Sequence, residues 1–330
     1  MNYFIKTYGC QMNQSDSTLI DEILSVRGMR WTSEVSQADI LVINTCSVRA
    51  HAERRASGFI STLLKWKNEC PSRILCVCGC MSQRRGSELI ERFPWIDIIV
   101  GPDRYQKLPD YIGEIKSQRT KICDLNLTGE LYCNVRPSRI EEVTAYVSIM
   151  RGCDNFCSFC IVPYLRGRAR SKDIKDVLEE INFLVDRGIK EVTLLGQNVN
   201  AYRSIGVTFA DLLEKVNEIS GLLRIRFLTS HPADMNERML KAINEFDKVC
   251  EYIHLPFQSG SDRLLRLMNR RYTNSRYREI VDTARHLIPK LGLSTDVIVG
   301  FPTETDADYE ATKKLMVDIC LLYTSDAADE

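Results

Sequence analysis

Short apolar segments alternate with amphipathic stretches along almost the whole chain of 330 residues. Strands that alternate with helices pair in parallel, because each crossover helix returns the chain to the same end of the sheet. The sequence therefore predicts two α/β domains in succession. The predicted strands of the first domain are 3–9, 38–45, 72–79 and 96–101, and those of the second are 145–150, 191–196, 224–229, 252–257 and 293–300.

A polar segment without periodicity, residues 117–143, separates the two series of strands. We place the first domain at 1–120, a linker at 121–143 and the second domain at 144–320. The first helix is expected to have Ser15 as its N-cap. Five parallel strands with helical crossovers predict an open, barrel-like sheet in the second domain.

Charge and composition limit the possible classes of function. Lys and Arg number 44, as do Asp and Glu, so any binding of nucleic acid must depend on local charge. No window holds the about 18 consecutive apolar residues of a membrane helix, and the first residues lack the layout of a signal peptide. We expect a cytoplasmic protein, in which 13 cysteines favour metal or redox chemistry over disulfides.

Cys153, Cys157 and Cys160, here called the loop triad, form a C-x3-C-x2-C loop after the first strand of the second series. Three thiolate ligands leave one iron of a four-iron cubane open, and an open position is typical of a catalytic metal centre. The alternative is a zinc knuckle completed by a distant residue such as His51 or His231.

Cys10, Cys46 and Cys80, here called the strand-end triad, each follow a predicted strand of the first domain. Carboxyl ends of parallel strands meet at one edge of a sheet, so these thiols are expected to lie together and could hold a second cluster. The alternative is that each is a small buried residue. Cys76 and Cys78 are expected in the core. The cysteines expected to be structural are Cys70, Cys123, Cys133, Cys250 and Cys320.

Motifs along the whole chain resemble the methylthiotransferases of the radical S-adenosylmethionine superfamily. In order, they are KTYGCQMN, INTCSVR, GCMSQR, SIMRGCDNFCSFCIVPYLRGRARSK, LLGQNVNAY, FLTSHP, LPFQSGSD and GFPTET. Their order and spacing match as far as about residue 320, and the details are similar to the branch that modifies isopentenylated adenosine in tRNA.

The resemblance implies an N-terminal Rossmann-like domain followed by a radical S-adenosylmethionine (SAM) partial (β/α) barrel. It implies that the loop triad ligates a radical-generating [4Fe-4S] cluster and that the strand-end triad ligates an auxiliary [4Fe-4S] cluster, which carries or supplies sulfur. One SAM would donate a methyl group and another the radical, giving a methylthio group at C2 of N6-isopentenyladenosine at position 37 of tRNA. The expected partners are tRNA and an electron donor, flavodoxin or similar, and the chain is expected to be monomeric.

The same resemblance, together with positions at strand ends, predicts the residues that contact SAM. They are Phe159, Gly196, Gln197, Asn198, Gln258, Ser259 and Gly300. The basic run 166–172 predicts phosphate contacts with tRNA, the alternative being a solvated surface. Its expected RNA-binding residues are Arg166, Arg168, Arg170 and Lys172, with Arg270 and Arg271 as a second basic spot.

Two other functions stay open on the sequence alone. One is a methylthiotransferase for threonylcarbamoyl-adenosine in tRNA, and the other is a non-enzymatic iron–sulfur or zinc protein that binds RNA. Residues 321–330 do not resemble the family, and we expect them to be a non-native tail. On this interpretation the chain is truncated and the barrel lacks its last strand.

Overall fold

The computed structural model describes residues 1–133, 136–140 and 142–319, together with the backbone of 323–325. Contacts divide the chain into two units, one of residues 1–141 with 164–167 and the other of residues 142–163 with 168–330. The boundary between them falls inside the expected linker. Among the described residues, no helix is both long and apolar enough to cross a bilayer.

The first unit is a parallel sheet with helices. Its strands are β1 (Asn2–Tyr8), β2 (Arg30–Trp31), β3 (Ile40–Thr45), β4 (Ile74–Gly79), β5 (Ile98–Val100) and β6 (Ile122–Asp124). Its helices are α1 (Gln11–Val26), α2 (Ala50–Glu69), α3 (Cys80–Arg92) and α4 (Leu108–Gln118). The strands pair in parallel in the order β2-β1-β3-β4-β5-β6.

The two faces of this sheet carry separate cores. Successive residues of a strand point to opposite faces, so Val42 packs with residues of α1 and α4, whereas Ile43 packs with residues of α2 and α3. Burial on both faces explains why the strands are nearly continuous apolar runs. Cys76 and Cys78 lie in the first of these cores, as predicted.

Two details of the first unit differ from the prediction. α1 begins at Gln11 with Cys10 in the N-cap position, so Ser15 lies inside the helix and is not its cap. Buried Met12 and Asn13 in the first turn explain the early start, because tertiary packing overrides capping preference. The expected linker also contains β6, an edge strand too short to show an alternating pattern.

The second unit contains a larger set of strands and helices. Its strands are β7 (Thr144–Ser148), β8 (Met150–Arg151), β9 (Arg170–Ser171), β10 (Glu191–Leu195), β11 (Arg203–Ser204), β12 (Val207–Thr208), β13 (Arg224–Phe227), β14 (Tyr252–His254), β15 (Gly292–Asp296) and β16 (Tyr323–Ser325). The helices are α5 (Val162–Arg166), whose last residues belong to the first unit, α6 (Ile174–Asp186), α7 (Phe209–Asn217), α8 (Glu237–Glu245), α9 (Asp262–Leu267), α10 (Asn274–Leu287) and α11 (Asp306–Asp318).

The long strands of this unit follow one another in space as they do in the sequence. β7, β10 and β13 form one parallel sheet, and β14, β15 and β16 form another. Ile225 of β13 forms an isolated parallel bridge with Val249, in the segment that leads into β14. Helices connect successive strands, so the predicted partial (β/α) barrel is confirmed.

The expectation that the barrel lacks its last strand is wrong. β16 pairs in parallel with β15, with Tyr323 opposite Ser294. Its Tyr-Thr-Ser sequence contains the aromatic and β-branched residues that strands favour. The other residues of the expected non-native tail, 321–322 and 326–330, lie outside the described part of the chain.

Gly260 allows α11 to pack closely on the loop that follows β14. A Cβ at this position would lie 2.4 Å from the Ala311 carbonyl oxygen and 2.7 Å from Thr312 Cα. The Gly260 amide donates a hydrogen bond of 2.9 Å to Thr312 Oγ1. Because the obstructing atoms belong to the backbone, a side chain here forces the helix away.

We therefore predict that Gly260→Ala lowers the stability of the protein by about 1–3 kcal/mol, the usual cost of overpacking. Thermal unfolding followed by circular dichroism measures the change. The control is Gly113→Ala in α4, where nothing lies within 4 Å of the added Cβ. Alanine is the better helix former and should stabilise that helix by about 0.5–1 kcal/mol. Equal melting temperatures for the Gly260 variant and the parent would contradict the packing argument.

Candidate cluster and cofactor sites

The loop triad lies in a loop that hydrogen bonds hold at both ends. The Gly152 amide donates 2.7 Å to Gln197 Oε1. Asn269 Nδ2 donates to the carbonyl oxygens of Asn155 and Phe156, at 3.2 Å and 2.9 Å. Phe156 has a φ of 47°, a left-handed conformation that is uncommon for a residue with a side chain. The loop is therefore fixed in a strained shape, as is frequent at functional sites.

Arg270 lies beside this triad rather than on the surface. It is 8% exposed, and its guanidinium donates to Cys157 Sγ at 3.5 Å, to the Pro256 carbonyl oxygen at 2.7 Å and to Tyr272 Oη at 3.1 Å. The expectation that Arg270 forms a basic spot for tRNA is therefore wrong. The signal that sequence reasoning missed is the apolar sequence just before it, where Leu264 and Leu265 are also buried.

The thiols of the loop triad affect one another electrostatically. Burial raises the pKa of Cys153 and of Cys160, and the neighbouring Cys157 raises both further. Arg270 opposes this rise at Cys160. Cysteine binds metals as the deprotonated thiolate. A positively charged metal centre would therefore favour the loss of the thiol protons of the loop triad.

Buried polar atoms without a partner lie at the carboxyl ends of β7, β10 and β13. They are Ser148 Oγ, Asn198 Oδ1, Ser230 Oγ and His231 Nε2. Each residue is at most 7% exposed, and an unsatisfied buried group costs about 1–3 kcal/mol. These strands are neighbours in one parallel sheet, so the atoms lie at the same edge. A bound polar molecule would satisfy them.

His231 supplies a hydrogen-bond donor to this edge. Its Nδ1 accepts a bond of 3.1 Å from the Ala233 amide, so the proton is assigned to Nε2. Burial, followed by the charges of Arg270 and Arg271, lowers the pKa of His231 to about 3. The ring is therefore neutral near pH 7. Hydroxyls, an amide oxygen and an imidazole N–H together suit the amino, carboxylate and ribose groups of SAM.

A groove in the second unit contains two of the residues predicted to bind SAM, Phe159 and Gly300. Its volume is about 590 Å³, and Phe159 is 40% exposed. Gly300 has a φ of 76°, which turns the chain at the rim. The residues that line the groove are Ser158, Phe159, Leu267, Ile298, Gly300, Phe301, Pro302 and Thr303. This apolar surface suits the flat face of an adenine ring.

The three predicted residues after β10 have different environments. A Cβ at Gly196 would lie 2.4 Å from Met150 Cγ, so the chain itself fills that side of the residue. Gln197 holds the loop of the loop triad through Gly152. Asn198 Nδ2 donates a hydrogen bond of 2.7 Å to Asp234 Oδ2. The Oδ1 atom of Asn198 is therefore left to accept a hydrogen bond from a ligand.

The two predicted residues after β14 also differ. The backbone of Gln258 is fixed beside β15. Its N–H donates a hydrogen bond to the carbonyl oxygen of Asp296, and its carbonyl oxygen accepts one from the N–H of Ile298. Ser259 is fully buried, and its hydroxyl lies 3.2 Å from Thr312 Oγ1 in α11. The contact of Ser259 with the cofactor stays a prediction, and the structure places its hydroxyl against α11.

The strand-end triad lies where the order of the first sheet reverses. Cys10 follows β1 and Cys46 follows β3, and the chain crosses from one side of β1 to the other between these strands. Ligands of open parallel sheets bind at such a switch point, beyond the carboxyl ends of the strands. Cys80 begins α3 directly after Gly79, whose φ is 94° and whose Cβ would lie 2.6 Å from the Thr45 carbonyl oxygen.

The thiols of Cys10 and Cys46 shift each other's pKa. A hydrogen bond from Cys46 outweighs burial and, with the charge of Arg166, lowers the pKa of Cys10 to about 6. The same bond, followed by burial, raises the pKa of Cys46. Burial raises the pKa of Cys80, and Arg166 opposes the rise.

No group of three His, Cys, Asp or Glu side chains among the described residues is placed to hold a single metal ion. A cubane is different, because each thiolate binds a different iron and the sulfurs stand apart. A cluster at each triad therefore stays a prediction, as does the zinc knuckle considered for the loop triad.

The basic run 166–172 is not a single charged surface. Arg166 is 3% exposed and pairs with Asp16 at 2.7 Å, and Lys172 is 4% exposed and pairs with Glu180 at 2.6 Å. Neither can contact tRNA without leaving its partner, so both predictions are corrected. Arg170 is half-buried and donates 3.2 Å to the Arg168 carbonyl oxygen.

Arg168 is the most exposed of these cations, at 72% of its side chain. Its guanidinium lies 2.8 Å from Asp154 Oδ1 and 5.1 Å from the centre of the Phe156 ring. It remains a candidate for contact with a phosphate next to the loop triad.

Two family descriptions match the chain. The radical SAM superfamily matches residues 147–316, and the uncharacterized protein family UPF0004 matches residues 2–101. The chain is 45% identical over 323 residues to the tRNA-2-methylthio-N(6)-dimethylallyladenosine synthase of Clostridium beijerinckii, which covers 96% of this chain and 71% of that protein. The synthase of the same name from Clostridium tetani is 43% identical, with 96% and 71% covered.

Solved structures share the fold. A radical SAM methyltransferase from Kitasatospora setae, TsrM, matches with a TM-score of 0.72 at 12% identity, over 98% of this chain and 72% of that chain. The cobalamin-dependent SAM radical enzyme OxsB matches with a TM-score of 0.66 at 13% identity, over 96% of this chain and 51% of that chain.

We predict that Arg168→Ala flattens the dependence of tRNA affinity on salt. One lost phosphate contact reduces the slope of log affinity against log salt by roughly one unit. Filter binding over a range of salt concentrations gives the slope. The control is Lys175→Ala, which removes a cation with an 81% exposed side chain from α6. If both variants kept the parental slope, Arg168 would belong to the solvated surface.

Proposed function

Because the chain belongs to the tRNA-2-methylthio-N(6)-dimethylallyladenosine synthase family of the radical SAM superfamily, we propose that it adds a methylthio group to C2 of N6-isopentenyladenosine in tRNA. The position modified is expected to be 37, beside the anticodon. The observation that carries the proposal is the identity of 45% over 323 residues, which extends through both thiol triads.

The loop triad is proposed to hold the [4Fe-4S] cluster that the superfamily uses with SAM. Three thiolates leave one iron for the amino and carboxylate groups of SAM, and the bound pair supplies a radical able to take hydrogen from an unactivated C–H. Asn198, Ser230 and His231 would bind the polar groups of SAM, and Phe159 and Gly300 its adenine. Contacts by Gly196, Gln197 and Gln258 remain predictions.

The strand-end triad is proposed to hold a second cluster, as a source or carrier of sulfur. Its support is the position of all three cysteines at the carboxyl ends of β1, β3 and β4, which are neighbours in one parallel sheet. In the overall exchange, C2 loses a hydrogen atom and gains a C–S bond. The methyl group would come from one SAM, which leaves as S-adenosylhomocysteine. A second SAM would take one electron from the electron donor and leave as methionine and 5′-deoxyadenosine, which carries the hydrogen from C2.

The other functions left open by the sequence are not favoured. The named relatives act on dimethylallyladenosine rather than threonylcarbamoyl-adenosine, and they are enzymes rather than binding proteins. The proposed partners are tRNA and an electron donor, flavodoxin or similar. A monomeric state and a cytoplasmic location remain predictions.

The direct test is to reconstitute the protein with iron and sulfide without oxygen and to supply isopentenylated tRNA, SAM and a reductant. Nucleoside mass spectrometry should detect the methylthio product. If the methylthio product formed only on threonylcarbamoyl-adenosine, that nucleoside would be the substrate instead. If the protein bound tRNA but formed no 5′-deoxyadenosine, the proposal that it is a radical SAM enzyme would be wrong.

We predict that the combined substitution Cys153→Ala, Cys157→Ala and Cys160→Ala abolishes 5′-deoxyadenosine formation and leaves about half of the iron, because one of two cubanes is lost. Iron and sulfide analysis and chromatography of SAM products give both results. The control removes three cysteines outside the triads, Cys70, Cys123 and Cys250, and should keep all the iron. Loss of all iron from the loop-triad variant would refute two independent sites.

We predict the complementary result for the combined substitution Cys10→Ala, Cys46→Ala and Cys80→Ala. This variant should still convert SAM to 5′-deoxyadenosine, because the loop triad is intact, but it should give no methylthiolated nucleoside. Mass spectrometry of digested tRNA measures the product. Methylthiolated nucleoside from this variant would reject a role for the strand-end triad in sulfur supply.

A further inference from the structure

Arg166 is a buried cation in direct contact with the strand-end triad. Its Nε donates a hydrogen bond of 3.2 Å to Cys80 Sγ, and its NH2 group lies 2.7 Å from Asp16 Oδ2. The side chains of Arg166 and Asp16 are 4% and 0% exposed, so water screens neither charge. The segment 164–167 that carries the arginine belongs to the first unit.

The partner carboxylate is itself fixed. Asp16 lies in α1, the helix that begins directly after Cys10, and it accepts a hydrogen bond of 3.2 Å from Tyr105 Oη. The Tyr105 ring stacks on Tyr132, with 5.7 Å between the ring centres. A chain of contacts therefore runs from the aromatic core through Asp16 and Arg166 to Cys80.

An arginine in this place has a specific electrostatic effect. The guanidinium of arginine keeps its proton in proteins, and the carboxylate of Asp16 at 2.7 Å compensates the charge of Arg166 in the interior. Hydrogen bonds to cluster sulfurs and nearby charge set the reduction potential of an iron–sulfur cluster. A cation stabilises the reduced form, which carries one more negative charge, and the carboxylate of Asp16 limits that effect.

We propose that Arg166 is a positioning residue that holds Cys80 and raises the reduction potential of the cluster on the strand-end triad, with Asp16 acting in the opposite direction. This inference rests on the proposed second cluster. It gives Arg166 a role different from the tRNA contact expected from the sequence.

The test uses the full chain with Cys153→Ala, Cys157→Ala and Cys160→Ala, so that the strand-end cluster gives the only iron–sulfur signal. A redox titration followed by electron paramagnetic resonance gives its midpoint potential. Arg166→Met should lower the potential by about 59 mV, a tenfold change in the reduction equilibrium of a one-electron couple. Arg166→Lys keeps a charge without the planar fork and should lower it less.

Asp16→Asn should raise the potential, because it removes a negative charge while the arginine stays. Opposite signs distinguish an electrostatic effect from general damage to the fold. Lys175→Met, which removes a cation with an 81% exposed side chain from α6, is the control and should leave the potential unchanged.

The outcomes separate this inference from the function on which it rests. If the loop-triad background contains no iron, the second cluster itself is absent and the proposed function fails. If the cluster is present but Arg166→Met and Asp16→Asn shift its potential in the same direction or not at all, the role of Arg166 is overturned. The double variant Arg166→Met with Asp16→Asn leaves no unpaired charge and should keep its iron. Loss of that iron would show that the pair builds the site instead of setting the potential of its cluster, and would overturn the electrostatic role of Arg166.

Discussion

Parallel pairing of strands is the constraint on which both candidate sites depend. In a parallel sheet the carboxyl ends of all strands meet at one edge, so residues far apart in sequence converge there. In the first unit this brings Cys10, Cys46 and Cys80 to the ends of β1, β3 and β4. In the second unit the same geometry places Ser148 and Ser230, with the loop triad, at the ends of β7 and β13.

Several residues around the loop triad and the neighbouring strand ends have backbone conformations that are uncommon for residues with a side chain. Phe156, Thr229, Gln258 and Asn269 all have positive φ, and each lies in the cysteine loop or beyond a strand or helix end. Such conformations cost about 1 kcal/mol or more each. Together with buried atoms that lack a partner, they make this region expensive to keep folded without a ligand. Binding of a cluster and SAM would then add stability as well as function.

The parts of the structure that sequence could predict are those set by local pattern. Strands such as β3 and β4 are buried on both faces and read as continuous apolar runs, so their positions were predicted closely. β6 could not be predicted, because an edge strand of three residues is too short to show alternation of apolar and polar residues. The placement of Cys10, Cys46 and Cys80 at strand ends could also be predicted, because each directly follows a continuous apolar run, whereas their role as cluster ligands stays a prediction.

The sequence could not predict which cations of the basic run 166–172 are buried and which are exposed. Arg166 is buried because Asp16, 150 residues earlier, meets it in the core, and Lys172 is buried by Glu180 in α6. Arg168 between them stays in water. Nothing in the composition of the run distinguishes these positions, since the difference comes from tertiary partners. The same holds for Arg270, whose sequence neighbour is another arginine but whose guanidinium contacts Cys157.

The burial of Asp16 has a consequence for how the protein is made on the ribosome. The first sheet is complete at Asp124, but the cation that neutralises Asp16 arrives only with residue 166. A buried carboxylate left without its partner costs about 3–5 kcal/mol. At about 5–20 residues per second, translation leaves the nascent first unit in that condition for a few seconds. The first unit therefore reaches its full stability only after residue 166 has been synthesised, which is later in the chain than the loop triad.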